Sequence, residues 1–178
     1  LLMSMPVLTG SLVRVPLGIW TDRYGGRIVM ALLMAATVPA IWMMGYATEY
    51  WHFLVIGLFV GLAGGSFSVG TPYVARWFPK HRQGMAMGVY GAGNSGAAVN
   101  KFIAPVILVA FGWQAVPQVY AAIMLGVLVL FWMFSHSDPA HLVPSHVKFT
   151  DQLKALKDPR VLKYCQYYSI VFGGYVAL

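Results

Sequence analysis

Five stretches of this chain, residues 1–20, 28–47, 52–77, 85–111 and 117–135, are apolar runs close to or above the roughly 20 residues that a helix needs to cross a bilayer core. A sixth begins near Val161. Short loops join them, so neighbouring helices run antiparallel. With 59% hydrophobic and 10% charged residues, composition points the same way. The expected fold is all-α, a polytopic transmembrane bundle: residues 1–135 form one bundle, 136–160 a linker, and 161–178 the start of a second bundle. The chain opens at Leu1 inside one apolar run and stops at Leu178 inside another, and it is read as a fragment of a longer protein.

Basic residues fix the expected orientation. Arg23 and Arg27 fall in the loop 21–27, Arg76, Lys80 and Arg82 in 76–84, and Lys148, Lys154, Lys157 and Arg160 in 136–160, while the loops near Glu49 and Trp113 carry no Lys or Arg. By the positive-inside rule the first three are cytoplasmic, and the chain is expected to cross the membrane several times. This placement of the net charge of +7 between apolar runs argues against nucleic-acid binding. In the linker, Phe149, Leu153 and Leu156 share one helical face, which fits an amphipathic helix lying at the membrane surface.

The run from 84 to 105 is unusual for its glycines, Gly84, Gly88, Gly91, Gly93 and Gly96, with Asn94 among them and Lys101 beyond. In lipid, small residues let helix backbones approach, so this face is expected to pack tightly on a neighbour. An amide and an ammonium at bilayer depth need a polar partner or a water-filled path. The segment Gly91-Ala92-Gly93-Asn94-Ser95-Gly96 also fits the GxGxxG of dinucleotide-binding loops. That motif requires a preceding strand and an acidic residue about 20 positions on, and the sequence offers neither.

Counting 1.5 Å per residue from the basic ends, Arg14, Phe67, Asn94 and Phe172 all lie about 9 to 15 Å into a core roughly 30 Å thick, with Tyr168 shallower. An arginine there costs at least about 2.5 kcal/mol unless something compensates. The five carboxylates, Asp22, Glu49, Asp138, Asp151 and Asp158, all fall in loops. Two readings follow. Either Arg14 is a structural arginine, or it binds an anion, whose planar oxygens a guanidinium matches with paired donors. Lys101, on nearly the same face as Asn94 two turns on, either draws anions inward or snorkels outward.

No Asp, Glu or His lies in the interior of the spans to relay protons, and His52, at the very start of its span, His81, His136, His141 and His146 sit at or near loops. The single cysteine, Cys165, is expected to be an inert packing residue. Neither HExxH, GxSxG nor a metal-ligand cluster is present, so the chain is not read as an enzyme and no cofactor is expected.

The stretch Gly18-Ile19-Trp20-Thr21-Asp22-Arg23-Tyr24-Gly25-Gly26-Arg27 resembles the GxxxDRxGGR loop between the second and third helices of the major facilitator superfamily. Within it, Phe67, the run Trp77-Phe78-Pro79-Lys80-His81-Arg82-Gln83-Gly84 and the glycine-rich Gly91–Gly96 segment resemble the nitrate/nitrite porter family. The resemblance implies that the chain covers about helices 2 to 7. It also implies that Arg14, Phe67, Asn94, Tyr168 and Phe172 bind substrate, that Gly91, Gly93 and Gly96 are signature packing glycines, and that Asp22, Arg23 and Arg27 belong to a cytoplasmic gate.

The expected function is secondary transport of nitrate or nitrite by alternating access, as proton symport or as exchange. Asn100-Lys101-Phe102-Ile103-Ala104-Pro105 is more similar to the proton-coupled branch. Implied partners are the anion, protons, the lipid bilayer and a further helical bundle. A carrier for another small anion, or a non-transporting anion receptor on the same scaffold, is the alternative.

Overall fold

The computed structural model describes residues 4–137 and 158–177, with side chains to residue 170 in the second stretch. Every regular element among them is helical: α1 (Ser4–Tyr24), α2 (Gly26–Met44), α3 (Tyr50–Gly61), α4 (Ser66–Trp77), α5 (Gln83–Gly91), α6 (Gly96–Phe111), α7 (Ala115–Phe134) and α8 (Pro159–Ala177). The third and fourth apolar runs are each one long rod with a short 3₁₀ segment inside it. Leu62–Gly65 joins α3 to α4, and Ala92–Ser95 joins α5 to α6.

Four rods are long and apolar enough to cross a membrane: Gly26–Met44, Tyr50–Trp77, Gln83–Phe111 and Ala115–Phe134. These four match the sequence reading to within a few residues. The first helix has the length, 21 residues, but Thr9, Ser11 and Arg14 hold its hydropathy below that of the others.

Two compact units are present, residues 1–142 and 143–178. In the first, α1, α2 and the α3–α4 rod pack together, α7 lies along α2, α5 lies against α4, and α6 against α7. Their shared core is Leu17, Val29, Met30, Leu33 and Val69, flanked by Val13, Met34, Leu62 and Phe131. Polar groups within it are satisfied locally: the buried Thr21 hydroxyl donates to the Leu17 carbonyl at 2.7 Å and that of Thr37 to Met34 at 2.9 Å.

The helix turns sort into two ends. At one, Arg76 meets Asp22, Arg27 reaches Ser135, and the Tyr73 hydroxyl donates to the His136 carbonyl at 2.8 Å. At the other, Gly45 approaches the Gln114 carbonyl and Phe53 lies 6.2 Å from Trp113 between ring centroids. The turns rich in Lys and Arg thus gather at one end of the bundle and those without them at the other.

Several expectations need correction. The loop expected at 21–27 is mostly helix. Asp22 and Arg23 close the last turn of α1, Arg27 opens α2, and Gly25 alone makes the turn, at φ 90°, a backbone conformation that favours glycine. The glycines of the 84–105 run do not pack as expected. A Cβ added at Gly84, Gly88, Gly91, Gly93 or Gly96 meets nothing within 4 Å among the described residues. Close backbone approach falls instead to α1 against the Leu62–Gly65 break: a Cβ at Gly61 would stand 2.6 Å from the Pro6 carbonyl oxygen, and one at Gly10 3.2 Å from Gly64 Cα. Cys165, expected to pack, is exposed on α8. The expected amphipathic helix with Phe149, Leu153 and Leu156 lies outside the described residues.

Candidate functional site

The chain breaks helical continuity twice, where glycines leave the helix little local support. Leu62-Ala63-Gly64-Gly65 and Ala92-Gly93-Asn94-Ser95 both tighten to 3₁₀, and beside each a serine hydroxyl turns back to a carbonyl three residues earlier. Ser68 donates to Gly65 and Ser95 to Ala92, both at 2.7 Å. Short 3₁₀ stretches in long helices mark places where backbone can bend or offer a carbonyl outward.

Arg14 uses one of these carbonyls. Its Nε donates to the Gly64 oxygen at 3.3 Å, so α1 is tied to the break it packs against. A backbone oxygen thus supplies part of the compensation, as the structural reading of Arg14 expects, and the anion-binding reading has to account for the rest. A carbonyl at a helix break cannot be seen by counting carboxylates. A bond at Nε restricts how the guanidinium can turn, and a restricted planar group suits recognition of a planar oxyanion.

Phe67 sits just beyond the same break and is 37% exposed. Its ring lies 5.2 Å from that of Tyr90, tilted by 57°. Tyr90 is the last residue but one of α5, immediately before the second break, and its hydroxyl donates to the Ser66 carbonyl at 3.4 Å. Asn94 is exposed one turn further on, within that break. Arg14, Gly64, Phe67, Tyr90 and Asn94 therefore follow one another through contacts or single helical turns.

Tyr168 is exposed on α8 in the second unit, and the Phe172 side chain lies outside the described residues. Lys101 is exposed on α6. A cleft of about 690 Å³ lies between α4 and α5 against Val74, Phe78, Arg82, Met85, Val89 and Tyr90. Its lining includes none of Arg14, Phe67 or Asn94.

The gate residues expected from sequence have definite contacts. Asp22 is ion-paired with Arg76 at 2.5 Å, and Arg23 lies 5.7 Å from the centre of the Tyr24 ring. Arg27 donates through Nε to the Ser135 hydroxyl at 3.1 Å and through a terminal nitrogen to the Trp132 carbonyl at 2.7 Å. Sequence reasoning missed Arg76, Trp132, Ser135 and Tyr90. Arg76 was countable, since the ends of α1 and α4 share the basic end, whereas the other three carry no charge. Asn100 was also missed as a contact; its side-chain oxygen accepts from the Tyr120 hydroxyl, joining α6 to α7.

A bundle of bilayer-length helices with a polar, glycine-broken level inside defines a polytopic integral membrane protein, and the GxGxxG segment is part of a long helical rod with no strand among the described residues. The chain belongs to the Major Facilitator Superfamily, whose family model matches residues 1–178. It is 39% identical, over 98% of its length, to the probable nitrate/nitrite antiporter NarK1 of Thermus thermophilus, of which 42% is matched. Identity is 35% to the nitrite extrusion protein of Bacillus subtilis, over 99% of this chain and 44% of that protein. It is 33% to the probable nitrate transporter NarT of Staphylococcus epidermidis, over 99% of this chain and 45% of that protein. The chain thus spans somewhat less than half the length of these relatives. No solved structure matches.

Proposed function

We propose that this chain is a large part of a secondary carrier that moves nitrate or nitrite across the inner membrane by rocking two helical bundles about a cationic site near the midplane. The basic turns at 21–27 and 76–84, together with 136–160, face the cytoplasm. Transport is coupled to protons or to counter-exchange. Within the site Arg14 supplies the cation, Phe67 an aromatic wall and Asn94 an amide; Tyr168 and Phe172 are substrate residues on the strength of the family resemblance. Superfamily carriers place substrate between inverted repeats, near the bilayer midplane. Asp22, Arg23 and Arg27 act at the cytoplasmic gate.

The observation that carries this reading is the tie from Arg14 to the Gly64 carbonyl, one 3₁₀ turn from Phe67, in a chain whose relatives are named as nitrate and nitrite carriers. The experiment is counterflow of labelled nitrate into liposomes holding the full-length protein. Wild type accumulates label, while Arg14→Lys inserts normally and accumulates none, because lysine cannot reproduce a fixed planar fork. Unchanged uptake by the lysine variant overturns the role of Arg14. Binding without counterflow by the wild type identifies a receptor instead.

A further inference from the structure

We infer that Tyr90 is a positioning residue for the anion site, setting the place of the Phe67 ring through the contacts its own hydroxyl and ring make with Ser66 and Gly70. The inference rests on the carrier reading above, and it adds a residue that the sequence pattern did not single out.

Phe67 is the second residue of α4 and its side chain is partly exposed, so rotamer freedom would otherwise let the ring leave the site. Tyr90 prevents this from the neighbouring helix. The two rings stand 5.2 Å apart at 57°, within the range where aromatic pairs attract beyond their buried area. Tyr90 is itself gripped at its far tip, since the hydroxyl donates to the Ser66 carbonyl at 3.4 Å and lies over Gly70. A methyl group at Gly70 would land on the Tyr90 hydroxyl and ring, so the absence of a side chain there is what seats the tyrosine. Gly70 is buried and its neighbour Val69 is fully buried, so the seat belongs to the fixed part of the bundle.

Tyr90 consequently spans three points of α4, Ser66, Phe67 and Gly70, while its own backbone adjoins the second break at Gly91. The hydroxyl anchors the ring, and the ring anchors Phe67. Tyr90 acts through Phe67 without needing to touch the anion.

The test is a double-mutant cycle in the full-length protein reconstituted in liposomes. Tyr90→Leu is expected to raise KM for nitrate about fivefold or more with kcat within about twofold, as loss of binding geometry rather than of turnover. Gly70→Ala is expected to do the same by displacing the ring, and Tyr90→Phe, which keeps the ring, to lie between Tyr90→Leu and wild type. In a Phe67→Leu background Tyr90→Leu adds no further rise, because the residue it positions is already gone. An equal, independent rise in that background overturns the inference, as does a fall in kcat with KM unchanged. A wild type that moves no nitrate overturns the substrate reading separately. The same four proteins are then scored by melting temperature in detergent, where additive losses overturn the coupling and a shared loss upholds it.

Discussion

The guanidinium carbon of Arg27 lies 4.4 Å from the centre of the Trp132 indole, while the same side chain donates to the Trp132 carbonyl and to the Ser135 hydroxyl. One residue at the start of α2 thereby holds the end of α7 by stacking and by two hydrogen bonds. It also answers a need of that end, where the last carbonyls of a helix lack intrahelical donors. Removing it with Arg27→Ala is expected to cost about 2 kcal/mol, the sum of a cation–π contact and charge-assisted bonds at a half-exposed site. Arg27→Lys recovers little, since an ammonium cannot stack and fork together. Thermal unfolding of the purified full-length variants in detergent checks both, and a lysine variant as stable as wild type would contradict the geometry.

The Asp22–Arg76 pair makes a different kind of prediction. Its two side chains are 40% and 19% exposed, so the pair contributes less than about 1 kcal/mol to stability. Arg76 also sits in the last turn of α4, where a positive charge is favoured by the helix dipole with or without Asp22. Asp22→Asn is expected to leave the melting temperature nearly unchanged while altering transport rate, if the pair works as a gate. The exchanged pair, Asp22→Arg with Arg76→Asp, then recovers uptake that either single reversal loses. Recovery absent from the exchanged pair, with both single variants impaired, removes the pair from the gate.

Much of this could be read from residue order, and the reasons are physical. Long apolar runs can only be helices in lipid, so α2, the α3–α4 rod, the α5–α6 rod and α7 were legible to within a few residues. Hydropathy is blind to the difference between i+4 and i+3 bonding, so neither break was visible, although both lie among glycines that the sequence displays. Depth singles out Arg14, but one of its contacts is a backbone oxygen, which every residue has and no letter marks. Asp22 and Arg23 were placed in a loop because polar residues usually end a span. Here Gly25 makes the turn alone and the helix carries them to its end. Residue type alone marks Gly91, Gly93 and Gly96 as packing residues, while the glycines that meet backbone among the described residues are Gly10, Gly45, Gly61 and Gly64.

That contrast between glycines can be measured. A methyl group at Gly61 would press within 2.6 Å of the Pro6 carbonyl oxygen and 2.8 Å of Pro6 Cα, backbone atoms that cannot rotate away. Gly61→Ala is expected to destabilise the protein by about 1 to 3 kcal/mol, the usual cost of overpacking. Gly88, at which a Cβ meets nothing within 4 Å among the described residues, is expected to accept alanine with a change under about 1 kcal/mol. Melting temperatures of the two full-length variants decide it, and a Gly88→Ala loss equal to that of Gly61→Ala would show that the α5 face is covered in the whole protein.

The pair Asn100 and Tyr120 offers the last test. The Tyr120 hydroxyl donates to the Asn100 side-chain oxygen between α6 and α7, within two rods apolar enough to cross a membrane. Hydrogen bonds between such helices contribute about 0.6 kcal/mol on average and at most about 1.7, because the unpaired groups find other partners in the separated helices. Tyr120→Phe is therefore expected to lower stability by about half to one kcal/mol and to leave insertion intact. Asn100→Leu removes the same bond, so combining the two changes should cost no more than the larger single loss. Additive losses in the double variant would mean that the two residues do not act on each other. Lys101, beside Asn100 on α6, serves as the internal control: its truncation to alanine leaves the Asn100–Tyr120 bond in place, and with it the melting temperature.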